Sequence, residues 1–288
     1  MSTLPTGLLP FVQLDFPGDL GLADGRYLVR RDAEPSEVVV VERVGAAPAT
    51  GRRRSRFRSR PVDESTPAAL PLTRVTVARP TELGGSAAAE RRLEDVERDA
   101  GVAESEVRDA LVLLNRAIAA HRAATQDPYV SEVSAANATA IRIGYGTGDE
   151  LAQGRWTQAR EVSLLEGRRR RAATLQPTER VAAVLGGREG IGVSETLLLR
   201  ARMDLDQHRE REAALQLRVG LEAMLAEAAD DDRAGEREDL AELRSRRPAI
   251  VEAANAALRG ELGAGDATRV ADALAICERV LRRRRILG

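Results

Sequence analysis

Residues Ser194–Ala229, with the sequence SETLLLRARMDLDQHREREAALQLRVGLEAMLAEAA, contain no Gly or Pro before Gly220 and carry the clearest helical pattern of the chain. A polar patch at Asp206–Glu212 divides the stretch in two. On either side of it, apolar residues recur at spacings of three and four, namely Leu198, Ala201 and Leu205, then Ala214, Leu217, Leu221, Met224 and Ala228. The pattern predicts one amphipathic helix, or two helices that fold back on each other.

The composition favours helical packing through small side chains. A chain of 288 residues can bury a real core in one or two domains, and its 43% hydrophobic content is ordinary for a globular protein. Those residues are mostly Ala, Leu and Val, and aromatics make up only 2%. So few rings argue against stacking platforms for bases or sugars.

Charge and cysteine content exclude several classes of protein. All 44 basic residues counted as Lys+Arg are arginines, yet the formal net charge is −1, so the whole chain is not a nucleic-acid-binding polycation. The single cysteine, Cys277, excludes an intramolecular disulfide and a zinc cluster built on cysteines. We read no signal peptide and no run of about 18 apolar residues, so we expect a cytoplasmic protein without a membrane partner.

The first 83 residues predict a small antiparallel sheet of about four strands, formed by alternating or β-branched runs between glycines. These runs are Phe11–Phe16, Arg26–Arg31, Glu37–Val44 and Leu72–Ala78. Together with the helical patterns that follow, they predict an α+β fold. The predicted domains are a β-rich module at 1–83 and a helical domain of helical hairpins at 84–288.

Residues 46–70 mix Pro, Ser and Arg without periodicity, so we expect this loop inside the β module to be disordered. It holds six arginines that could contact a polyanion backbone, which are Arg52, Arg53, Arg54, Arg56, Arg58 and Arg60. A solubilising low-complexity loop is the alternative interpretation. Two further arginine clusters lie at 168–171 and 282–285, and the second has a structural explanation at the end of a helix.

From Ser86 onward the apolar period becomes helical. Ser86 is the expected cap of a first helix that ends at Gly101, and a second helix is expected over about 104–125. Later helices are predicted at Thr178–Leu185, at Ala234–Arg259 with a kink at Pro248, and from Asp266 to the C-terminus.

The segment 126–161 breaks the helical pattern and collects two of the three tyrosines and the only tryptophan. It predicts a strand at about Ala138–Ile143 and a short helix capped by Thr147. Arg142, Tyr145 and Trp156 form the candidate interaction surface, because function is often carried on loops held by a rigid scaffold. The alternative is that the rings only seal the seam between sheet and helices.

Familiar catalytic and cofactor motifs do not fit the sequence. GYGTG at 144–148 has no lysine for a P-loop and lacks the GxGxxG spacing, so a strand-to-helix turn is the favoured interpretation. His121 lies on an apolar stripe, His208 lies in a charged turn, and the two have no metal-ligand spacing. Cys277 falls on the apolar face of the last helix, where a structural role is expected. We therefore predict no catalytic residue, cofactor or metal.

Two resemblances accompany these patterns. The 194–229 stretch resembles one tetratricopeptide-type hairpin, matching the motif at Leu197, Ala201, Ala213, Leu217 and Gly220. It departs from the motif at Arg200, Asp204, His208 and Leu225, where Leu, Tyr, Gly and Pro are usual. The phrases LGLADGRYLVR, IRIGYGTGDELAQGRW and REAALQLRVGLEAM resemble an uncharacterised family of high-GC Gram-positive bacteria, and no activity follows from that likeness.

Three functions remain open from the sequence. The favoured one is a non-catalytic helical interaction or scaffold protein whose partner is another protein. The second is a nucleic-acid-associated protein that uses the 52–60 arm. The third is an enzyme of unfamiliar type centred on 126–161. The identity of the partner and the oligomeric state are left open.

Overall fold

The structure is a computed structural model that describes residues 7–31, 34–45, 71–163, 177–228 and 236–287. The chain divides into two compact units, residues 1–168 and residues 169–288. The expected disordered loop at 46–70 lies outside the described residues.

The first unit is built on a six-stranded antiparallel sheet in the order β2-β3-β4-β1-β5-β6. Its strands are β1 Leu8–Pro17, β2 Gly25–Arg31, β3 Glu34–Val44, β4 Leu72–Ala78, β5 Ala140–Thr147 and β6 Gln158–Glu161. The four strands that alternation predicted are confirmed. The expected α+β class is confirmed as well.

Alternation along the central strand β1 divides the sheet into two faces. Val12, Leu14 and Phe16 point to one face, where they pack with valines of β3 and β4. The helices α1 (Ser86–Arg98) and α2 (Ala100–Thr125) contribute their own apolar residues to this core. Gln13 and Asp15 alternate with those residues and therefore face the opposite side.

The segment 126–161 belongs to the sheet rather than to a helical body. Its strands β5 and β6 pair with β1 and with each other, so the sheet has six strands instead of about four. The predicted domain boundary at residues 83 and 84 therefore falls inside the first unit. Sequence order hid this arrangement, because β5 reaches its neighbour β1 across more than a hundred residues of chain.

The break between α1 and α2 falls at Asp99 and not at Gly101 as predicted. Asp99 is extended and its side-chain oxygen accepts a hydrogen bond from the backbone N of Gly101, 2.8 Å away. Asp is a favoured N-cap residue, so α2 begins directly after Asp99 and Gly101 lies inside its first turn. Similarly, Ser86 is the first residue of α1 and Gly85 takes the cap position.

The second unit is described as five helices. They are α4 Pro177–Leu185, α5 Val193–Asp206, α6 Glu210–Glu227, α7 Arg237–Arg259 and α8 Ala264–Leu287, which follow a short α3 (Gly148–Leu151) in the first unit. The stretch 194–229 is therefore two helices, the second of the two predicted forms. Pro248 lies inside α7, which continues through it, and Gly260 ends that helix in the left-handed region.

Helices α5 to α8 share one core of small and aliphatic side chains. Leu198 of α5 and Leu217 of α6 are fully buried in it. Gly220 lets the two helices approach closely, since a Cβ there would lie 3.0 Å from Leu198 Cδ2. Cys277 is fully buried in the same core, and burial raises its thiol pKa to about 12, which confirms the expected structural position.

The turn of the α5–α6 hairpin carries backbone strain at His208. Its φ is 56°, in the left-handed region that is unfavourable for a residue with a Cβ. Because its imidazole is 64% exposed, the contacts of the ring contribute little to the stability of the fold. We predict that His208→Gly stabilises the protein by about 0.5–1 kcal/mol, the relief of strain less the entropy of a new glycine. Urea unfolding measures this. His208→Ala keeps the Cβ and should gain almost nothing, whereas an equal gain in both variants would contradict the strain argument.

Candidate functional site

The first candidate site is a buried polar cluster on the sheet face opposite α1 and α2. Gln13 and Asp15 of β1 lie at its centre and are at most 4% exposed. Strand register places Arg74 of β4 directly across from Asp15, and Arg142 of β5 across from Gln13. Four polar side chains thus meet on three adjacent strands of the sheet.

Both oxygens of the Asp15 carboxylate are held by arginines. Arg74 donates from Nε to Oδ1 at 2.8 Å and from Nη2 to Oδ2 at 3.1 Å, a bidentate pair. Arg142 donates from Nη1 to Oδ2 at 2.8 Å. The three side chains together carry a net charge of one positive unit. About a fifth of each arginine side chain is exposed.

Gln13 completes the cluster and ties it to the loop before β6. Its Nε2 donates to Thr76 Oγ1 at 2.9 Å and to the backbone oxygen of Gly154 at 3.0 Å. Its Oε1 accepts from Arg142 Nη1 at 3.4 Å. The buried amide therefore has partners for both ends, as a buried polar group requires.

The electrostatics make Asp15 a structural anion. Burial by itself would raise the pKa of the Asp15 carboxyl, but the hydrogen bonds and charges of Arg74 and Arg142 outweigh that effect and hold the pKa below its ordinary value. A carboxylate with both oxygens occupied and a lowered pKa is poorly suited to take up a proton near neutral pH. The cluster thus fastens three strands rather than forming a general base.

Trp156 covers this face beside Arg142. The Arg142 guanidinium carbon lies 5.6 Å from the centre of the indole ring, within cation–π distance. The Phe11 ring lies 6.1 Å from the indole at a 30° tilt, and Leu9 and Leu151 complete this small apolar cluster. The structure therefore brings together two of the three residues of the candidate interaction surface.

Tyr145, the third residue, faces the other side of the sheet. It is 2% exposed and packs against Ala89 and Leu93 of α1. Its hydroxyl donates to Gln158 Oε1 at 2.7 Å. Tyr145 lies three positions after Arg142 along β5, an odd offset, so the alternation of the strand directs the two side chains to opposite faces.

The GYGTG segment forms the end of β5 and the start of α3. Thr147 caps α3 by accepting from the backbone N of Glu150, while the Glu150 carboxylate accepts from the backbone N of Thr147, a reciprocal capping box. Hydrogen bonds from Thr147 and Thr157 lower the pKa of Glu150. The prediction of a strand-to-helix turn with a Thr147 cap is confirmed.

Gly144 is required because β6 and Phe11 crowd it. A Cβ there would lie 2.2 Å from the backbone oxygen of Gln158 and 2.8 Å from Phe11 Cε1. We predict that Gly144→Ala displaces β6 and costs about 2–3 kcal/mol, the upper part of the usual range for overpacking. Gly25→Ala in β2 meets open space and should be neutral in the same urea titration. Equal stability of the two variants would contradict this account.

The arginine clusters differ in what the structure says of them. Arg52, Arg53, Arg54, Arg56, Arg58 and Arg60 lie outside the described residues, as does the cluster at 168–171. In the third cluster, Arg283 Nη1 lies 2.6 Å from Asp239 Oδ2 and Arg284 Nε lies 3.1 Å from Glu236 Oε2. These arginines join α8 to the start of α7, a structural role that differs from the expected helix-terminus effect.

A second candidate site lies in the second unit and was missed by sequence reasoning. Among the described residues, ten large apolar side chains are exposed, and six of them fall within 181–203. We call these six the apolar segment; they are Val181, Leu185, Ile191, Val193, Leu199 and Met203. Leu199 and Met203 lie one turn apart on α5, outside the periodic stripe that marks its buried face.

An ion pair and two hydrogen bonds join the apolar segment to neighbouring helices. Arg180 Nη2 of α4 lies 2.6 Å from Glu195 Oε2 of α5. Ser194 donates from Oγ and from its backbone N to the carboxylate of Glu227 on α6, at 2.5 and 3.1 Å. Because these contacts hold the start of α5, its exposed face is presented on an ordered helix.

Comparison with protein families, curated proteins and solved structures gives no match for this chain. Within the described residues, none of the helices is long and apolar enough to cross a membrane. Nor does the described part bring three His, Cys, Asp or Glu side chains together as a metal site.

Proposed function

We propose that the chain is a non-catalytic protein-interaction module of the cytoplasm. We further propose that the binding surface lies on its helical unit, which is the second unit at residues 169–288. The observation that carries this proposal is that, within the part of the chain that the structure describes, six of the ten exposed large apolar side chains lie in the apolar segment. The single cysteine of the chain, Cys277, is a buried free thiol. Cytosolic proteins keep their cysteines in this reduced form, which supports the proposed compartment.

Exposed apolar area of this kind is costly in water. Each large aliphatic side chain gains roughly 1.5–3 kcal/mol when it is fully buried. Leu185 is 83% exposed and Leu199 is 58% exposed, so most of that gain is still available to a partner. Grouped exposed apolar residues typically mark protein–protein contact sites.

The helical hairpin α5–α6 supports a tetratricopeptide-type interaction module. Gly220, at the motif's small position, lies against Leu197 and Leu198 of α5. His208 stands where the motif has a turn glycine and adopts the left-handed conformation that glycine would. Modules of this kind present helix faces to other proteins.

The other two hypotheses have less support. The nucleic-acid hypothesis rests on the sequence of residues 52–60, because Arg283 and Arg284 are held by acids of α7 and its cap. The enzyme hypothesis rested on the 126–161 segment. There Arg142 is held by Asp15, and Tyr145 is buried on the opposite face.

The test is capture of partners from the native organism by the immobilised full-length chain. We expect a protein bound by the wild type to be lost in the Leu199→Arg/Met203→Arg variant, because two charges would replace the apolar contact. Leu258→Arg is the matched control, since Leu258 is a similarly exposed leucine on α7. It should retain the partner.

Nuclease treatment separates the protein and nucleic-acid hypotheses. Partners that survive nuclease and depend on Leu199 and Met203 support the proposal. Partners that disappear with nuclease, or that bind the double variant as well as the wild type, would overturn it. Circular dichroism of each variant confirms that the helical unit stays folded, as expected for changes at exposed positions.

A further inference from the structure

We infer that the occupant of the exposed α5 face is a second copy of this chain, in a two-fold symmetric helix pair centred on Met203. This inference rests on the proposed function, whose binding surface it assigns to self-association. Two-fold interfaces are the commonest in soluble oligomers and require a surface that is complementary to itself.

The exposed face of α5 has the required charge symmetry. Arg200 lies three residues before Met203 and Asp206 lies three residues after it, and all three are exposed. In an antiparallel pair centred on Met203, each residue faces the one at equal distance on the other side. Arg200 of one copy therefore faces Asp206 of the second copy, and the symmetry forms this pair twice.

Asp206 has 62% of its side chain exposed, and its ion pair with Arg202 of the same helix is a long one of 3.8 Å. The Arg202 guanidinium also makes a closer bidentate pair with Glu278, at 2.6 and 3.0 Å. An alternative centre at Ala201 would set Arg200 against Arg202 of the second copy, and Ala201 is fully buried in the helical core. Charge and burial therefore favour Met203 as the centre.

The apolar contact and the charge pairs have separate roles. Met203 meets its own copy at the centre, and Leu199 adds apolar area one turn away. The paired charges favour the antiparallel register centred on Met203, whereas a pair centred on Ala201 sets Arg200 against Arg202. Flexible methionine side chains adapt well to such a self-contact.

The experiment is sedimentation equilibrium of the full-length chain over about 1–200 μM, the range for a small interface. We expect the 31.1 kDa chain to double in mass with concentration. Arg200→Asp alone and Asp206→Arg alone should each weaken the dimer at least about tenfold, because each sets like charges opposite each other. The double charge swap should restore it.

Further variants test the position of the contact. Met203→Arg should leave a monomer, whereas Leu258→Arg should dimerise as the wild type does. A wild-type chain that stays monomeric, a dimer unaffected by Met203→Arg, or a double swap no better than the single variants would each overturn the inference. A monomer that still captures a different protein through Leu199 and Met203 would leave the proposed function standing.

Discussion

Asp15→Ala is expected to destabilise the first unit by about 3–5 kcal/mol, the cost of removing one partner from a buried ion pair. The variant deletes the carboxylate that accepts from Arg74 and Arg142 and leaves two largely buried guanidinium groups facing each other. Since Asp15 lies on the central strand β1, the loss affects its pairing with both β4 and β5.

Trp156 is the only tryptophan and lies beside this cluster, so its fluorescence reports unfolding there during a urea titration. Asp15→Asn is the matched control, because it keeps the shape and one acceptor oxygen but removes the charge. It should cost about half as much, because one amide oxygen still accepts from an arginine while the contacts of the second carboxylate oxygen are lost. An Asp15→Ala variant with the same free energy of unfolding as the wild type would show that the cluster contributes nothing to stability.

The cluster also predicts a pH dependence with a definite sign. The folded pKa of Asp15 is lowered, so its contribution is fully present above the unfolded pKa of about 3.9 and is lost as pH falls through the folded value. The stability difference between wild type and Asp15→Asn should therefore shrink below about pH 4. A difference that stays constant down to pH 2, roughly two units below the unfolded pKa, would contradict the assignment.

Local periodicity predicted the elements of the fold well. The alternating run Leu72–Ala78 coincides with β4, and the break at Asp206–Glu212 coincides with the turn between α5 and α6. These features depend on residues that are close together in sequence, so they can be predicted from one sequence. Strand order does not, and the placement of β5 beside β1 follows from long-range burial that no local pattern encodes.

The candidate site could be predicted only in part for the same reason. Residue type alone singles out Arg142 and Trp156, which do meet, but it does not single out Asp15 and Gln13 in the run FVQLDF. That run held a usable signal, since two polar residues alternate with apolar ones on a buried strand. The function of these two polar residues could be inferred only with Arg74 as a partner. The register that places Arg74 beside Asp15 is a property of the folded sheet.

The structure also changes the experiment suited to the 126–161 segment. Arg142→Ala would remove a possible ligand contact, but it would also remove one of the two arginines that hold Asp15. Loss of binding in that variant could then follow from loss of structure. Trp156 contacts the Phe11 ring and the Arg142 guanidinium, so a substitution there leaves both arginines that hold Asp15 in the chain. Its effects on stability and on partner binding can then be measured separately.

Trp156→Ala is expected to cost about 3 kcal/mol, the lower end for emptying a buried ring site because the indole is only partly buried. The ring contacts Phe11 and the Arg142 guanidinium, and both would lose their cover. Circular dichroism follows unfolding, since the variant lacks the fluorescent residue. Trp156→Phe should lose less than half as much and keep partner capture if the segment is a packing seam. A fully stable Trp156→Ala that no longer captures its partner would instead assign Arg142 and Trp156 to the binding surface.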